Sequence, residues 1–171
     1  MEIHNHRILS IIPGTRYIGI AILDGTNLKE WYVKQVKGSS ITERIGKVKS
    51  FCRDIILQYE INAFVIKKLH HARSSSNLLK LVATLKTLAQ RMNICVVEFS
   101  IDQIKHFFVE GKSNKKKLAE EVATRYPFLF HELEHEGKNK NRYFTRMFEA
   151  VALGTVCYHY LERKQQRSKN E

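Results

Sequence analysis

The amino-acid sequence predicts an α/β fold in which helices flank a mixed sheet of about five strands. Two observations lead to this prediction. First, apolar runs over residues 7–12, 17–23 and 28–36 are typical of strands, and Asp24-Gly25-Thr26-Asn27 joins the last two as a hairpin. Second, helical periodicity from Ile41 onward alternates with short continuous apolar runs, the pattern of strands buried on both faces. Three antiparallel strands followed by alternating helices and buried strands indicate a layered α/β domain.

The elements beyond the hairpin follow from periodicity and capping residues. Apolar residues spaced from Ile41 to Tyr59 share one helical face, and Ser74-Ser75-Ser76 provides a cap for the next helix. Apolar runs at 63–66 and 94–99 predict two buried strands. A short helix is predicted from Ser100 to Phe108, followed by a basic loop over 110–117 and a helix that ends at Tyr126-Pro127. A polar segment is predicted over 134–142. The last helix is predicted over about 143–164, and its inward-facing residues are Met147, Val151, Val156 and Tyr160.

Composition indicates one globular domain with a polyanionic partner. The 171 residues are 43% apolar, so we expect one domain over 1–171, with a solvated basic tail at 165–171. Lys and Arg number 29 against 17 Asp and Glu, and the formal charge of +12 favours nucleic acid as a partner over a membrane surface. Cys52, Cys95 and Cys157 lie in apolar surroundings and are expected to be reduced core residues. Without a signal peptide or a spanning segment, we expect a cytoplasmic protein.

One short motif matches a zinc-binding pattern, but the residues around it do not favour a zinc site. His131, Glu132 and His135 match H-E-x-x-H, in which two histidines on one helical face bind zinc and the glutamate activates water. Pro127 and Gly137 leave little room for a rigid helix between them, and no clear third ligand follows. We therefore expect a solvated polar turn here and not a metalloprotease site.

Five segments in a fixed order carry a family resemblance. They are Ile11-Ile12-Pro13-Gly14-Thr15-Arg16; Val65-Ile66-Lys67-Lys68-Leu69 with Ala72-Arg73-Ser74-Ser75-Ser76 behind it; Val97-Glu98-Phe99 with Gln103-Ile104-Lys105; Gly111-Lys112-Ser113-Asn114-Lys115; and Glu149-Ala150-Val151-Ala152-Leu153-Gly154. Taken together they resemble the RuvC family of Holliday junction resolvases, within the ribonuclease H-like superfamily. The first segment is similar to that family's I-D-P-G-S/T-R, the second to its A-I-E-x-x-F, and the last to its closing D-A-L-A-I-A.

The resemblance implies a ribonuclease H-like three-layer fold, a four-stranded DNA substrate class, a homodimer, and a nuclease site of four carboxylates with two Mg²⁺ ions. Three of those carboxylates fall on other residue types in this chain, at Ile12, Lys67 and Arg146. The fourth falls on Glu149, which is still a carboxylate. Mg²⁺ requires oxygen ligands, and two-metal cleavage needs carboxylates to gather both ions. We therefore expect a degenerate site with no bound metal and no cofactor.

Two interpretations of this altered pocket remain open. Lys67 and Arg146 can hold a backbone phosphate without cutting it, because ammonium and guanidinium groups bind phosphate oxygens directly. Alternatively, Lys67, Arg146 and Glu149 pair with one another and bind nothing, since Arg146 and Glu149 are three residues apart on one helix.

Further cations are candidate phosphate contacts. The full set of candidate nucleic-acid-binding residues is Lys67, Arg73, Ser74, Lys112, Lys115, Lys116, Lys117 and Arg146. Phe107 and Phe108 are expected in the core and not as stacking partners for bases.

The sequence thus favours a RuvC-like protein that binds branched or structured nucleic acid, most simply DNA, and has lost metal-dependent cleavage. One alternative is a divergent Mg²⁺-dependent junction endonuclease that uses Glu98, Asp102 and Glu149. Another is a dimeric scaffold that has kept the fold and lost DNA binding.

Overall fold

The computed structural model describes residues 5–112, 114–138 and 145–171, and within these ranges the side chains of all residues except 135–138. Its centre is a five-stranded mixed sheet with the strand order β3-β2-β1-β4-β5. The strands are β1 (Arg7–Ile12), β2 (Tyr17–Asp24), β3 (Asn27–Gln35), β4 (Ala63–Lys67) and β5 (Cys95–Phe99). β1, β2 and β3 pair antiparallel, whereas β4 is parallel to both β1 and β5. The predicted topology is confirmed.

Six α-helices are found in the described part of the chain. They are α1 (Ile41–Gln58), α2 (Ser76–Arg91), α3 (Ile101–Phe108), α4 (Lys115–Arg125), α5 (Phe130–Lys138) and α6 (Thr145–Lys169). The side chains of Ser40, Ser75, Ser100 and Asn114 accept a backbone N–H in the first turn of α1, α2, α3 and α4 respectively. A short polar side chain at these positions satisfies an N–H group that has no partner within the helix, which is why the helices begin there.

The helices form a layer on each side of the sheet. One core joins Ile8 and Ile12 of β1 to Met147, Val151 and other apolar residues of α6, with α3 and α4 beside them. The other core joins Leu9 and Ile11, the alternate residues of β1, to α1 and α2. Alternation along the strand sends successive side chains to opposite faces, so that the sheet is buried on both sides.

The long helix α6 lies very close to the sheet. Ser10 Oγ donates a hydrogen bond of 2.7 Å to the carbonyl oxygen of Ala150. A Cβ atom at Gly154 would come within 2.4 Å of Leu23 Cδ1 and 3.3 Å of Ser10 Cβ. Glycine at this position therefore allows the helix to pack against β1 and β2 without a clash. This close approach fixes the height of α6 above the ends of the strands.

Several local predictions were wrong. The polar segment expected over 134–142 begins inside α5, and 139–142 lie outside the described residues. The basic loop ends at Asn114, because the cap at that residue starts α4 with Lys115. The last helix continues to Lys169, so most of the expected tail at 165–171 is helical, although largely exposed. Its expected start at 143 lies outside the described residues.

Two side chains predicted to be in the core are exposed. Cys95 begins β5, which is an edge strand, and only Cys52 and Cys157 are buried among the cysteines. Tyr160 is 43% exposed and meets Phe99 in a T-shaped ring contact, whereas the next residue, Leu161, is 7% exposed, because α6 turns Leu161 and not Tyr160 toward the core. Among the described residues, no helix combines the length and the hydrophobicity needed to cross a bilayer.

Candidate nucleic-acid interface

The candidate site lies where β1 and β4 end beneath the first turns of α6. Ile11 is aligned with Ile66 in the parallel register, so Ile12 and Lys67 are neighbours at the carboxyl ends of their strands. Ile12 faces the α6 side of the sheet with an exposed fraction of 1%. Side chains that follow parallel strands converge at this edge, which is the usual place for a ligand in α/β proteins. The predicted convergence of Ile12, Lys67 and Glu149 is confirmed.

The Glu149 carboxylate is the centre of the site. It is 2% exposed on α6, and its Oε2 lies 3.4 Å from Lys67 Nζ, while its Oε1 lies 3.3 Å from Lys115 Nζ. Lys67 donates a hydrogen bond, but the contact with Lys115 is an ion pair without hydrogen-bond geometry, so that Oε1 has no hydrogen-bond donor among the described residues. A buried carboxylate requires charge compensation, and two ammonium groups provide it here.

The two lysines differ in how far they reach into solvent. The side chain of Lys67 is 24% exposed and that of Lys115 is 54% exposed. Each ammonium group carries three N–H groups, and within the described residues Glu149 is the acid that each one pairs with, so that donor capacity is left over for a ligand. The pair of lysines carries one more positive charge than the carboxylate neutralises.

Arg146 lies against the turn that leaves β1. Its Nη1 donates a hydrogen bond of 3.1 Å to the carbonyl oxygen of Pro13. A Cβ atom on Gly14 would come within 2.6 Å of the same nitrogen and within 2.1 Å of the Tyr17 carbonyl oxygen. Glycine is required here because a side chain would collide with the Tyr17 carbonyl oxygen, and its absence also leaves room for the guanidinium. Of the two open interpretations, mutual pairing is confirmed for Lys67 and Glu149, whereas the hydrogen bond of Arg146 goes to the backbone.

The acids that could rebuild a nuclease site are elsewhere. Glu98 forms an ion pair with Lys86 of α2, on the face of the sheet opposite to Glu149. Asp102 is exposed in the first turn of α3. Nowhere in the described part of the chain do three or more His, Cys, Asp or Glu residues form a group that could hold a metal ion.

The donor set at Glu149 does not fit Mg²⁺. One carboxylate that already faces two ammonium groups leaves few oxygen ligands for a hard cation that prefers six. At about 4 Å and an effective dielectric constant of about 20, each ammonium would repel a divalent ion by about 8 kcal/mol. The pocket therefore favours anions.

Comparisons with known proteins agree with this architecture. No protein-family model matches the chain. The curated crossover junction endodeoxyribonuclease RuvC of Pseudoalteromonas atlantica is 24% identical over 124 residues, which are 68% of this chain and 72% of that protein. The structure of RuvC from T. thermophilus in complex with a Holliday junction substrate superposes with a TM-score of 0.69 at 14% identity, over 92% of this chain and 96% of that one.

The chain is similar to RuvC in sequence and in fold. Two further solved structures share its fold. The yeast mitochondrial Holliday junction resolvase Ydc2 gives a TM-score of 0.65 at 9% identity, over 95% of this chain and 81% of that one. The Fowlpox virus resolvase in complex with Holliday junction DNA gives 0.56 at 16% identity, over 90% of this chain and 99% of that one. The predicted ribonuclease H-like fold is confirmed by these superpositions.

The other predicted nucleic-acid contacts lie in the segment that follows β4 and around the start of α4. Lys116 and Lys117 lie beside Lys115 in the exposed first turn of α4, and Lys112 is exposed shortly before it. Arg73 is exposed in the single 3-10 turn (His71–Arg73) that follows β4, and Ser74 Oγ donates a hydrogen bond to the carbonyl oxygen of His70. No acid stands in the first turn of α4. The three lysines lie at the positive end of the helix dipole, which is an unfavourable place for cations. A bound anion would reduce this repulsion.

Two other features of the sequence have structural roles. Phe107 and Phe108 pack against each other at 5.1 Å between ring centroids and against the core beneath α6, as expected. The predicted turn at the H-E-x-x-H residues was wrong, because they lie on α5. A 3-10 turn at Pro127–Leu129 leads directly into this helix. Glu132 Oε1 accepts a hydrogen bond of 3.2 Å from Trp31 Nε1, which gives this glutamate a structural partner.

The contact between Lys115 and Glu149 was missed from the sequence. Lys115 was predicted as a phosphate contact in a loop and not as a neighbour of Glu149. The available signal was Asn114, whose short polar side chain three residues before Lys117 marks a helix start and hence a fixed position for Lys115.

Proposed function

We propose that this RuvC-like chain binds the phosphate backbone of branched nucleic acid, most directly a four-way DNA junction, and does not cleave it through bound Mg²⁺. The observation that carries the proposal is the pairing of both Glu149 oxygens with lysine ammonium groups. In a two-metal nuclease the corresponding charges would be metal ions held by carboxylates. Here side-chain cations occupy the neighbourhood of the remaining carboxylate.

The remaining N–H groups of these cations suit a phosphodiester. A phosphate placed at the mouth of the pocket would meet Lys67 and Lys115 directly, with the free N–H groups of the Arg146 guanidinium beside them. Lys116 and Lys117 extend the cationic surface along α4 and would contact neighbouring phosphates. Similar folds hold Holliday junctions in the T. thermophilus and Fowlpox virus complexes, which supports a branched substrate.

The divergent nuclease is the second candidate, because the curated relative is an endodeoxyribonuclease. It would need Glu98 to reach the same metal as Glu149 from the other face of the sheet, where Glu98 pairs with Lys86. This arrangement disfavours it. The scaffold without DNA binding is the third candidate, and the cluster of open cations disfavours that one.

Junction binding with and without metal tests the proposal. The protein should bind a labelled four-way junction equally well in EDTA and in Mg²⁺. It should not cleave the junction in either condition. Lys67→Gln should weaken binding, while Lys29→Gln, an exposed lysine on the edge strand β3, should not. Symmetric Mg²⁺-dependent cleavage that Glu149→Gln abolishes would establish the nuclease instead. Absence of binding at low salt would leave the scaffold.

A variant with four restored carboxylates tests whether the loss of these acids is what removed Mg²⁺ binding. Ile12→Asp, Lys67→Glu, Arg146→Asp and Glu149→Asp together restore four carboxylates at the ends of β1 and β4 and on α6. We expect measurable Mg²⁺ affinity by calorimetry in this variant and none in the parent chain. Cleavage does not have to return with it, because ligand positions must be held within about 0.5 Å.

We also propose that the chain works as a homodimer in the cytoplasm, since the resemblance to RuvC implies a dimer. Sedimentation velocity over a range of protein concentrations tests the oligomeric state. A dimer that persists at low micromolar concentration supports the proposal, and a monomer throughout the range contradicts it.

A further inference from the structure

A groove separates α1 and α2 on the face of the sheet opposite to the candidate nucleic-acid interface. It has a cavity volume of about 490 Å³ and is lined by both helices. α1 and α2 cover the second core, whereas Glu149 belongs to α6 over the first core. A ligand in this groove would leave the Glu149 pocket free.

The walls of the groove have one sign of charge. Of the described residues that line it, three are cationic, namely Lys49, Arg53 and Arg91, and none is acidic. The charges come from both sides, because Lys49 and Arg53 belong to α1 and Arg91 to α2. All three are exposed, and no ion pair links them to an acid of the described residues. A cleft with one sign of charge attracts a partner of the opposite sign.

The groove is also lined by aliphatic side chains. Leu57 is 61% exposed, the highest exposure among the large hydrophobic residues of the described chain, and Leu88 and Met92 lie beside it. An exposed leucine between cations is a poor surface for nucleic acid, which uses phosphate contacts and aromatic stacking. It suits a protein segment that brings its own apolar side chains, and methionine adapts readily to such a partner.

We infer that the α1–α2 groove is a docking site for an acidic amphipathic helix of a partner protein. Leucine-type residues on one face of that helix would cover Leu57 and Met92, and its Glu or Asp residues would face Lys49, Arg53 and Arg91. A second copy of this chain fits poorly, because a twofold contact would bring the same cations together. The inference goes beyond the proposed function, since it gives the chain a protein partner on the face away from the nucleic acid.

A designed peptide tests the inference on the full-length protein. The probe is a helical peptide of about 18 residues with Leu at i, i+3, i+4 and i+7 and Glu at the remaining positions, and a scrambled peptide of the same composition is its control. Two-dimensional NMR with labelled protein should show saturable shifts confined to α1 and α2 with the probe. The scrambled peptide should produce none.

Charge-reversal variants locate the contact. Arg53→Glu with Arg91→Glu should weaken peptide binding by at least about tenfold, and Leu57→Ser should weaken it by about threefold or more. The matched control is Lys80→Glu, an exposed lysine on α2 that does not line the groove. All three positions in the groove are exposed, so the variants should fold, and circular dichroism checks this.

Three results would overturn the inference. One is no shift in α1 or α2 at about 1 mM peptide, which would detect even weak binding. Another is a loss of junction affinity in the Arg53→Glu, Arg91→Glu variant, which would make the groove a nucleic-acid surface. The last is a change of oligomeric state in that variant, which would make it a contact between copies of this chain. Failure of the proposed function would appear separately, in junction binding by the unmodified protein.

Discussion

The Glu149 carboxylate determines the charge of the candidate site at the level of single residues. It is buried on α6 and lies between the Lys67 and Lys115 ammonium groups, with distances of 3.4 and 3.3 Å. A buried carboxylate without these lysines would be strongly unfavourable, and the lysines without the carboxylate would repel each other. The three groups therefore form one electrostatic unit that keeps two cations at the mouth of the pocket.

Replacing Glu149 by Gln should destabilise the protein and strengthen its binding to phosphate. The variant leaves Lys67 and Lys115 without a counter-charge, at a cost of about 1–2 kcal/mol, less than for a fully buried pair because both lysines reach solvent. A bound phosphate would then replace the missing charge. Urea unfolding and junction titration measure the two effects. Weaker junction binding with unchanged stability would contradict the phosphate role of the lysines.

The three cysteines should differ sharply in their reactivity. Burial raises the pKa of the Cys52 thiol and of the Cys157 thiol to about 12, so neither forms thiolate near neutral pH. Cys95 is exposed at the start of β5. We expect a thiol reagent at pH 8 to label one cysteine in the folded protein and all three in denaturant. Cys95→Ser should abolish labelling of the folded protein, and rapid labelling that persists in this variant would show that the core opens.

Capping contacts define the elements that carry the site and the groove. α1 begins with Ser40, whose side chain accepts the N–H of Glu43 at 3.1 Å, while Glu43 Oε2 accepts hydrogen bonds from the backbone and the hydroxyl of Ser39 at 3.0 and 2.6 Å. α4 begins in the same way at Asn114, which sets the position of Lys115. At the scale of elements, short polar side chains thus place the cations of both surfaces.

Removal of the α1 cap should cost stability without affecting the site. Ser40→Ala loses the acceptor for the Glu43 N–H and should lower the free energy of unfolding by about 1 kcal/mol. Thr42→Ala, an exposed change in the first turn of the same helix, is the control and should have a smaller effect. Thermal melts compare them. Junction affinity should be the same in both variants, because α1 lies on the other side of the sheet.

The Glu43 carboxylate should make α1 sensitive to acid. Hydrogen bonds from Ser39, with the Lys47 ammonium beside them, lower the pKa of Glu43 to about 2. A lowered pKa means that the ionised form is favoured by folding, so its stabilisation is complete above the ordinary pKa of about 4.5 and is lost as the pH falls through about 2. We expect Glu43→Gln to be less stable than the parent at pH 7 and equally stable at the acidic limit. A constant difference across the pH range would show that ionisation of Glu43 contributes nothing.

The charge distribution over the whole molecule explains why nucleic acid is the expected partner. The chain carries a formal charge of +12, and its acids include Glu149, Glu98 and Glu43, each already paired with lysines. Within the described residues, no acid pairs with Lys116 or Lys117 of α4 or with the three cations that line the α1–α2 groove on the opposite face. The molecule therefore presents two cationic surfaces separated by the sheet, one beside a buried carboxylate and one with an aliphatic patch.

Junction binding should depend steeply on salt, and α4 should account for part of the dependence. Each phosphate contact releases counterions, so changing Lys115, Lys116 and Lys117 together to Ala should reduce the slope of log affinity against log salt by up to about 3. Lys29→Ala should leave the slope unchanged. A triple variant with the same slope and the same affinity as the parent would show that α4 does not contact the nucleic acid.

The sequence by itself determined the order of the strands and of every helix except α5, and it identified the pocket residues Ile12, Lys67 and Glu149. Period-two and helical apolar patterns are local properties, and they predicted all five strands and the caps at Ser75 and Ser100. The family resemblance placed Ile12, Lys67 and Glu149 at one site, and the parallel register of β1 and β4 confirms it. The wrong burial predictions, at Cys95 and Tyr160, arose because burial depends on what covers an edge strand and on which side of α6 meets the core.

Only the tertiary structure decided which charges meet. Lys115 is 34 residues from Glu149 in sequence and touches it because α4 packs beside α6, and Glu98 is excluded from the pocket because strand alternation turns it toward Lys86. The groove between α1 and α2 likewise exists only once two distant helices lie side by side on one face of the sheet. Contacts of this kind depend on packing between distant segments, which no local pattern of residues encodes, and they determine the chemistry of both surfaces.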